Sequence, residues 1–232
     1  MVKVFTVNGS PAKEKGDTAL ILGSFIQGLT QSGAEVKTCY TSRLKIKPCS
    51  CNSMHCWYVN PGACCIKDDM QSLYPELRAA DILVLASPVY IPLPGDMQNF
   101  VNRLCPLIEP RLVFHQGRTR ARFHDDVRIK KITLVSTGGW WEKENFDTLI
   151  HIASELAENA GVEFGGAVLR PHSFIMRKEG QLTGDGEEIL DAVRKVGNQL
   201  INDGKMNPET LAMICRPLIS ESDLRRRYNQ LL

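Results

Sequence analysis

Short apolar runs alternate along the chain with longer segments whose hydrophobic residues recur three and four positions apart. The short runs predict β-strands, and the longer segments are typical of amphipathic helices. The five predicted strands cover residues 2–8, 35–40, 81–88, 130–137 and 163–169. This alternation predicts an α/β fold, a doubly wound five-stranded parallel sheet of order 2-1-3-4-5 with helices on both faces.

Three segments depart from the alternation. Residues 47–66 form a cysteine-rich loop after the second strand, and Pro75 is expected to kink or restart the helix that follows it. Residues 109–128 show no clear element, and we expect a surface connection whose arginines face solvent. Residues 206–232 predict a C-terminal helical extension. We therefore assign residues 1–205 to one domain.

Composition and charge narrow the class of protein. Apolar residues make up 43% of the chain and charged residues 23%, as in globular proteins, and the net charge of +2 is too small to indicate a nucleic-acid partner. The first residues, MVKVFTVNGS, have a strand pattern rather than that of a charged leader, and no apolar run is long enough to span a membrane. We expect a cytoplasmic protein.

The loops after the first, third and fourth strands carry the candidate binding residues. The first loop, NGSPAKEKGDT, suits a phosphate, or it is an ordinary turn capped by Asp17. The second, SPVYIP, offers backbone amides and apolar surface to a flat ring, and the third, STGGWW, allows close approach of a ligand. The candidates are Ser10, Lys13, Lys15, Asp17, Thr18 and Ala19 in the first loop, Pro88, Val89, Tyr90 and Ile91 in the second, and Thr137, Gly138, Gly139 and Trp140 in the third.

These motifs, with the run PGACCIKDDM and the tail ICRPLISESDLRRRYNQLL, resemble those of the flavodoxin-like NAD(P)H-dependent FMN reductases, in the branch that includes iron–sulfur flavoproteins. The resemblance implies FMN as cofactor and NAD(P)H as electron donor, with the FMN phosphate in the first loop and the ring between the other two. Ala12 stands where the family often has Arg, and Asp17 where it often has Asn. The second departure implies weaker phosphate binding unless the carboxylate turns back to cap the helix.

The resemblance predicts an FMN-dependent oxidoreductase that passes electrons from NAD(P)H or a reduced iron–sulfur donor to a small molecule or a ferredoxin-like protein. It also implies a homodimer or homotetramer. An electron carrier without its own substrate is the alternative, and a zinc-stabilised binding module without flavin is a third. No catalytic acid–base pair is indicated, because the histidines follow no pattern; we expect His151 to be structural and assign no role to His172.

Five of the eight cysteines lie between Cys49 and Cys65. Thiols stay reduced in the cytoplasm, so such a group indicates metal binding or redox chemistry more than disulfides. The resemblance implies a [4Fe-4S] cluster, for which the ligands would be Cys49, Cys51, Cys56 and Cys64. Redox-active or free thiols, zinc and a disulfide stay open as alternatives.

The spacing of these cysteines differs from that of the family. Counted back from Cys56, the two preceding family positions fall on Ser50 and Ser53. The remaining cysteines, Cys39, Cys105 and Cys215, are predicted to be ordinary buried residues.

Overall fold

The computed structural model describes residues 1–51, 54–115 and 117–230, so Ser53 lies outside the described residues. In chain order the strands are β1 (Lys3–Asn8), β2 (Glu35–Tyr40), β3 (Ile82–Pro88), β4 (Ile108–His115), β5 (Arg118–Phe123), β6 (Lys131–Thr137), β7 (Glu163–Arg170), β8 (Arg177–Lys178) and β9 (Gln181–Leu182). The helices are α1 (Asp17–Gln31), α2 (His55–Tyr58), α3 (Met70–Ala79), α4 (Gly95–Asn102), α5 (Asp147–Ala160), α6 (Gly184–Asn202), α7 (Pro208–Cys215) and α8 (Glu221–Asn229).

The central sheet has the predicted topology. Its strand order is β2-β1-β3-β6-β7, and all of its pairs are parallel, which confirms the doubly wound fold. Strands β6 and β7 are the fourth and fifth predicted strands. Residues 82–87 of β3 are all buried, as expected of a central parallel strand covered on both faces.

Alternate residues of the strands enter two separate cores. Val4, Val84 and Val135 pack beneath α1 and α6, while Phe5 and Leu83 pack on the opposite face of the sheet. This division follows from the two-residue period of a strand, which sends neighbouring side chains to opposite faces.

Helices α1 and α6 meet at two glycines. A Cβ built on Gly28 would lie 1.9 Å from the carbonyl oxygen of Arg194, and one built on Gly197 would lie 2.3 Å from that of Phe25. Side chains at these positions would force the helices apart.

Among the described residues, no helix has both the length and the apolar character needed to cross a bilayer.

The expectation of an irregular connection over residues 109–128 is wrong. Strands β4 and β5 form an antiparallel hairpin there, with a register shift between Glu109 and Val113. Arg120 is only 7% exposed, and its guanidinium binds Glu155 and Glu158 of helix α5, at 3.3 and 2.7 Å. The hairpin is thus attached to helix α5 through ion pairs rather than presenting all of its arginines to solvent.

Helix α3 also differs from expectation. Helix α3 continues through Pro75 from Met70 to Ala79, so this proline neither ends nor restarts it. The predicted C-terminal helical extension consists of helices α7 and α8, and the Ser220 hydroxyl caps the start of α8 by accepting from the amide of Asp223.

A buried ion pair holds both ends of the cysteine loop. The Arg103 guanidinium donates to both carboxylate oxygens of Asp68, at 2.7 and 3.1 Å, and to the carbonyl of Lys47 at 2.9 Å. Both charged side chains are 1% exposed. Burial alone would raise the pKa of Asp68, but the hydrogen bonds from Arg103 and the Lys47 amide hold it below its ordinary value.

Asp68→Asn should lower the free energy of unfolding by about 3 kcal/mol at neutral pH, because it leaves the Arg103 charge buried and unpaired. The folded-state pKa of Asp68 is lowered, so its stabilisation is complete above the ordinary value of 3.8 and disappears as the pH falls through the folded value. Chemical denaturation at neutral and acid pH should therefore show the wild type approaching the variant in acid.

The matched control is Asp191→Asn, which removes an exposed pair with Arg194 and should cost at most about 1 kcal/mol. Equal losses in the two variants would contradict the structural role of the Asp68–Arg103 pair.

Candidate functional site

Three loops meet at the carboxyl edge of the sheet, and hydrogen bonds join them. The amide of Gly9 donates to the carbonyl of Ala86 at 2.7 Å, and the amide of Val89 donates to the carbonyl of Thr137 at 2.8 Å. The hydroxyls of Thr18 and Thr137, both buried, lie 2.7 Å apart. The structure therefore brings the three predicted loops together as one crevice.

The first loop presents polar groups beside the start of helix α1. The Asn8 side-chain oxygen accepts from the amide of Ser10 at 2.8 Å, and the Ser10 hydroxyl accepts from the amide of Ala12 at 3.3 Å. The amides of Asp17 and Thr18 open the helix, where the first backbone N–H groups have no intrahelical acceptor. Such a helix start attracts anions.

Asn8 is not among the candidates predicted from the sequence, because it ends a strand. It is fully buried, and its side-chain NH₂ nitrogen has no hydrogen-bond partner among the described residues. A buried donor without a partner costs free energy. Asn8 lies between the strand and the Ser10 turn, where its side-chain NH₂ group could donate a hydrogen bond to an acceptor atom of a ligand.

The expectation that Asp17 caps helix α1 is wrong. Its carboxylate accepts instead from the Ser173 hydroxyl at 2.9 Å and from the Arg177 guanidinium at 3.3 Å. The charge of Arg177 thus offsets that of Asp17. Lys13 and Lys15 are exposed on the same loop, and Ala19 is half-buried in the first turn of the helix.

The second and third loops line an open cleft of about 380 Å³. Its lining residues are Val89, Tyr90, Ile91, Gly138, Gly139, Trp140, Asn145 and Phe146. Trp140 is 66% exposed at its edge. A Cβ on Gly138 would lie 2.9 Å from the Phe146 ring, so the turn needs a glycine to pass this close. Pro88 ends strand β3 beside Thr137.

The C-terminal extension closes one side of the crevice. The Tyr228 hydroxyl donates to the carbonyl of Gly139 at 3.2 Å, and the Trp141 indole donates to the carbonyl of Ile219 at 2.8 Å. A further cavity of about 310 Å³ lies between Trp140, Trp141 and helix α8. Motif reasoning missed these contacts because they join positions far apart in the chain.

A buried arginine and histidine anchor this extension. Arg170 donates to the carbonyls of Ile214 and Arg216, at 2.7 and 2.9 Å. His172 Nε2 lies 2.7 Å from the Arg170 guanidinium and accepts from the amide of Leu218 at 3.1 Å. Burial, together with the charge of Arg170, lowers the pKa of His172 to about 4. His172 is therefore neutral, with its proton on Nδ1, and its role is structural.

The cysteine loop gathers thiols, but one predicted ligand, Cys51, contacts Cys65, which was not among the predicted ligands. The Sγ atoms of Cys51 and Cys65 lie 2.9 Å apart, and this contact raises the pKa of Cys51 to about 12. Cys56 is buried near Cys105, whose pKa is raised to about 12 by burial and then by Cys56. Cys39, Cys105 and Cys215, which were predicted to be buried, are half-buried.

The arrangement of these thiols bears on metal binding. Cys49 and Cys64 lie near enough for their charges to raise the pKa of both Cys51 and Cys56. Within the described ranges, however, no three cysteine, histidine, aspartate or glutamate side chains are placed to hold one metal ion. This geometry does not match the convergent tetrahedral ligands of a zinc site.

Gly139→Ala should displace Tyr228, because the new Cβ would lie 2.6 Å from the Tyr228 hydroxyl. We expect faster amide hydrogen exchange across helix α8, measured by mass spectrometry. Gly23→Ala, where a Cβ meets open space, is the control and should leave α8 unchanged. Unaltered exchange in the Gly139 variant would show that Tyr228 does not hold the helix.

Comparisons with known proteins agree with this fold. Residues 2–143 match the sequence profile of the NADPH-dependent FMN reductases. An iron-sulfur flavoprotein of Methanosarcina thermophila is 31% identical over 173 residues, which cover 73% of this chain and 84% of that protein. These matches confirm the resemblance inferred from the motifs.

Solved structures share the fold at low sequence identity. An NAD(P)H:quinone oxidoreductase from Methanothermobacter marburgensis is 18% identical, with a TM-score of 0.56 over 86% of this chain and 96% of that one. An FMN-dependent NADH-azoreductase from Bacillus anthracis, solved with FMN, is 9% identical, with a TM-score of 0.59 over 87% of this chain and all (100%) of that one. With the matching profile, they identify the chain as a flavodoxin-like oxidoreductase that belongs to the NADPH-dependent FMN reductase family.

Proposed function

We propose that this protein is an FMN-dependent oxidoreductase that takes electrons from NAD(P)H and passes them to a small molecule or a ferredoxin-like protein. The observation that carries the proposal is the crevice, in which three cross-linked loops combine a helix start with an open aromatic cleft. We treat residues 1–205 as the cofactor-binding domain and residues 206–232 as an extension that closes it. We place the protein in the cytoplasm, where its eight cysteines, all free thiols, would stay reduced.

The first loop fits the phosphate of FMN. The Ser10 and Thr18 hydroxyls, the unpartnered Asn8 NH₂ group and the helix start are donors, which suit phosphate oxygens. Lys13 and Lys15 add positive charge. The Asp17 carboxylate, which the family pattern made a concern, is offset by Arg177.

The open cleft fits the flavin ring. Tyr90 and Ile91 are exposed on one loop and Trp140 on the other, so apolar side chains are available to both a ring and its redox partner. The Gly138–Gly139 turn lets backbone groups approach the ring closely.

FMN, when bound, supplies hydride and single-electron transfer. The chain's part is to hold the ring, shield it from water and leave one side of it accessible. Holding the ring in this way needs no acid–base pair. His172 is neutral, and its Nε2 already contacts Arg170 and accepts from the amide of Leu218, so it does not serve as a catalytic base.

In the function that we propose, FMN is the only redox cofactor. The name of the Methanosarcina relative, an iron-sulfur flavoprotein, suggests an iron–sulfur cluster in the cysteine loop. The four predicted ligands are near one another. One of them is nevertheless engaged elsewhere, since Cys51 contacts Cys65 at 2.9 Å. Among the described residues, no three cysteine, histidine, aspartate or glutamate side chains converge on one position for a metal ion. The quartet of Cys49, Cys51, Cys56 and Cys64 does not fit a cluster as one set, and we derive no electron-transfer step through it.

Ser10→Ala combined with Thr18→Val should weaken FMN binding about tenfold for each hydroxyl lost, because hydrogen bonds to charged groups are worth about 1.5–3 kcal/mol. Fluorescence titration of the apoprotein with FMN measures the dissociation constant directly.

The control for this experiment is Thr30→Val, at the other end of helix α1, whose hydroxyl donates to carbonyls of its own helix. It should bind FMN as the wild type does. Equal affinity in all three proteins would contradict a phosphate site at the first loop.

We further propose that the protein is a homodimer joined through the β4–β5 hairpin. Leu112, Val113 and Phe114 are consecutive and exposed on β4, with Phe114 80% exposed. An exposed apolar run on a hairpin is typical of a protein–protein interface.

Phe114→Lys should convert the dimer to a monomer, because it places a charge in the apolar contact. Light scattering after size-exclusion chromatography measures the mass. Tyr58→Lys, at an exposed aromatic of the cysteine loop, is the control and should stay dimeric. A wild-type monomer, or a dimer in both variants, would refute this interface.

A further inference from the structure

We propose that Cys51 and Cys65 form a redox-active dithiol, a second reactive site that closes reversibly to a disulfide. The two Sγ atoms lie 2.9 Å apart although both residues are free cysteines. This inference does not depend on flavin binding, and it gives a function to the cysteine loop that the oxidoreductase proposal leaves unused.

Exposure combined with the short Sγ–Sγ distance distinguishes this pair within the loop, where Cys49 is also exposed. Cys65 is exposed and Cys51 is half-exposed, so an oxidant in solution reaches them. Cys56 and Cys64 are buried. These two thiols are therefore shielded from solvent, while the contact of Cys51 with Cys65 is open to exchange.

The surroundings hold the two sulfur atoms together without involving the sheet. Arg103 binds the carbonyl of Lys47 before the pair and the carboxylate of Asp68 after it. Gln71 donates to the carbonyls of Cys64 and Ile66, at 3.1 and 2.7 Å, directly beside Cys65. The loop is thus closed by other bonds already, and forming the disulfide requires little further ordering of the chain.

The reaction that we propose is exchange with a low-molecular-weight disulfide. The more exposed Cys65 sulfur attacks the disulfide, breaks its S–S bond and forms a mixed disulfide, while one thiol leaves with a proton. Cys51 then attacks Cys65 Sγ, forms the internal S–S bond and releases the second thiol. The two cysteines lose two electrons and two protons, and the added disulfide gains them. A dithiol reductant reverses the sequence.

The test uses the whole reduced protein, incubated without oxygen with glutathione disulfide, then alkylated, digested and examined by mass spectrometry. We expect a linked pair of peptides containing Cys51 and Cys65, and a loss of two titratable thiols that a dithiol reductant restores. In Cys51→Ser the first step has no second thiol to complete it, so glutathione should accumulate on Cys65. Cys65→Ser should form no internal disulfide.

Cys215→Ser, on helix α7, is the matched control and should form the Cys51–Cys65 link as the wild type does. Wild-type protein that carries only glutathione adducts, or that links other cysteines, would overturn the proposal. So would protein that holds about four irons per chain and loses them in both Cys51→Ser and Cys65→Ser, because the two thiols would then be cluster ligands.

Discussion

The hydrogen bond between the Thr18 and Thr137 hydroxyls joins the first turn of helix α1 to the end of strand β6, and the crevice depends on it. The two residues are separated by more than half of the chain, but parallel strands bring their carboxyl ends to one edge of the sheet. Together with the bonds from Gly9 to Ala86 and from Val89 to Thr137, this contact makes three loops into one surface. A ligand that spans phosphate and ring needs that fixed relation.

The sheet and the location of its crevice could be predicted because they follow from local patterns. A buried parallel strand such as β3 is a continuous apolar run in the sequence. Two adjacent glycines, such as Gly138 and Gly139, indicate a turn. The hairpin could not be predicted in this way. Arg120 looks like a solvated residue in the sequence, since its partners Glu155 and Glu158 lie on a distant helix.

The same limit applies to single site residues. Asp17 stands where a helix cap is expected, but Ser173 and Arg177, more than 150 positions away, bind its carboxylate instead. In the cysteine loop, the family resemblance implied one ligand set of Cys49, Cys51, Cys56 and Cys64, whereas Cys51 contacts Cys65, which lies outside that set. Tertiary packing decides which residues a buried arginine such as Arg103 or Arg170 binds. The periodicity of the sequence does not predict these partners.

Anaerobic addition of NADPH to the FMN-loaded protein, followed by visible absorption, tests the central claim most directly. The claimed function requires the nicotinamide to reach the open side of the cleft between Tyr90 and Trp140. The account predicts that the oxidised flavin absorption is lost and then restored by a quinone acceptor. Protein that holds stoichiometric FMN but keeps its oxidised spectrum with both NADPH and NADH would contradict the account and favour a carrier supplied by another protein.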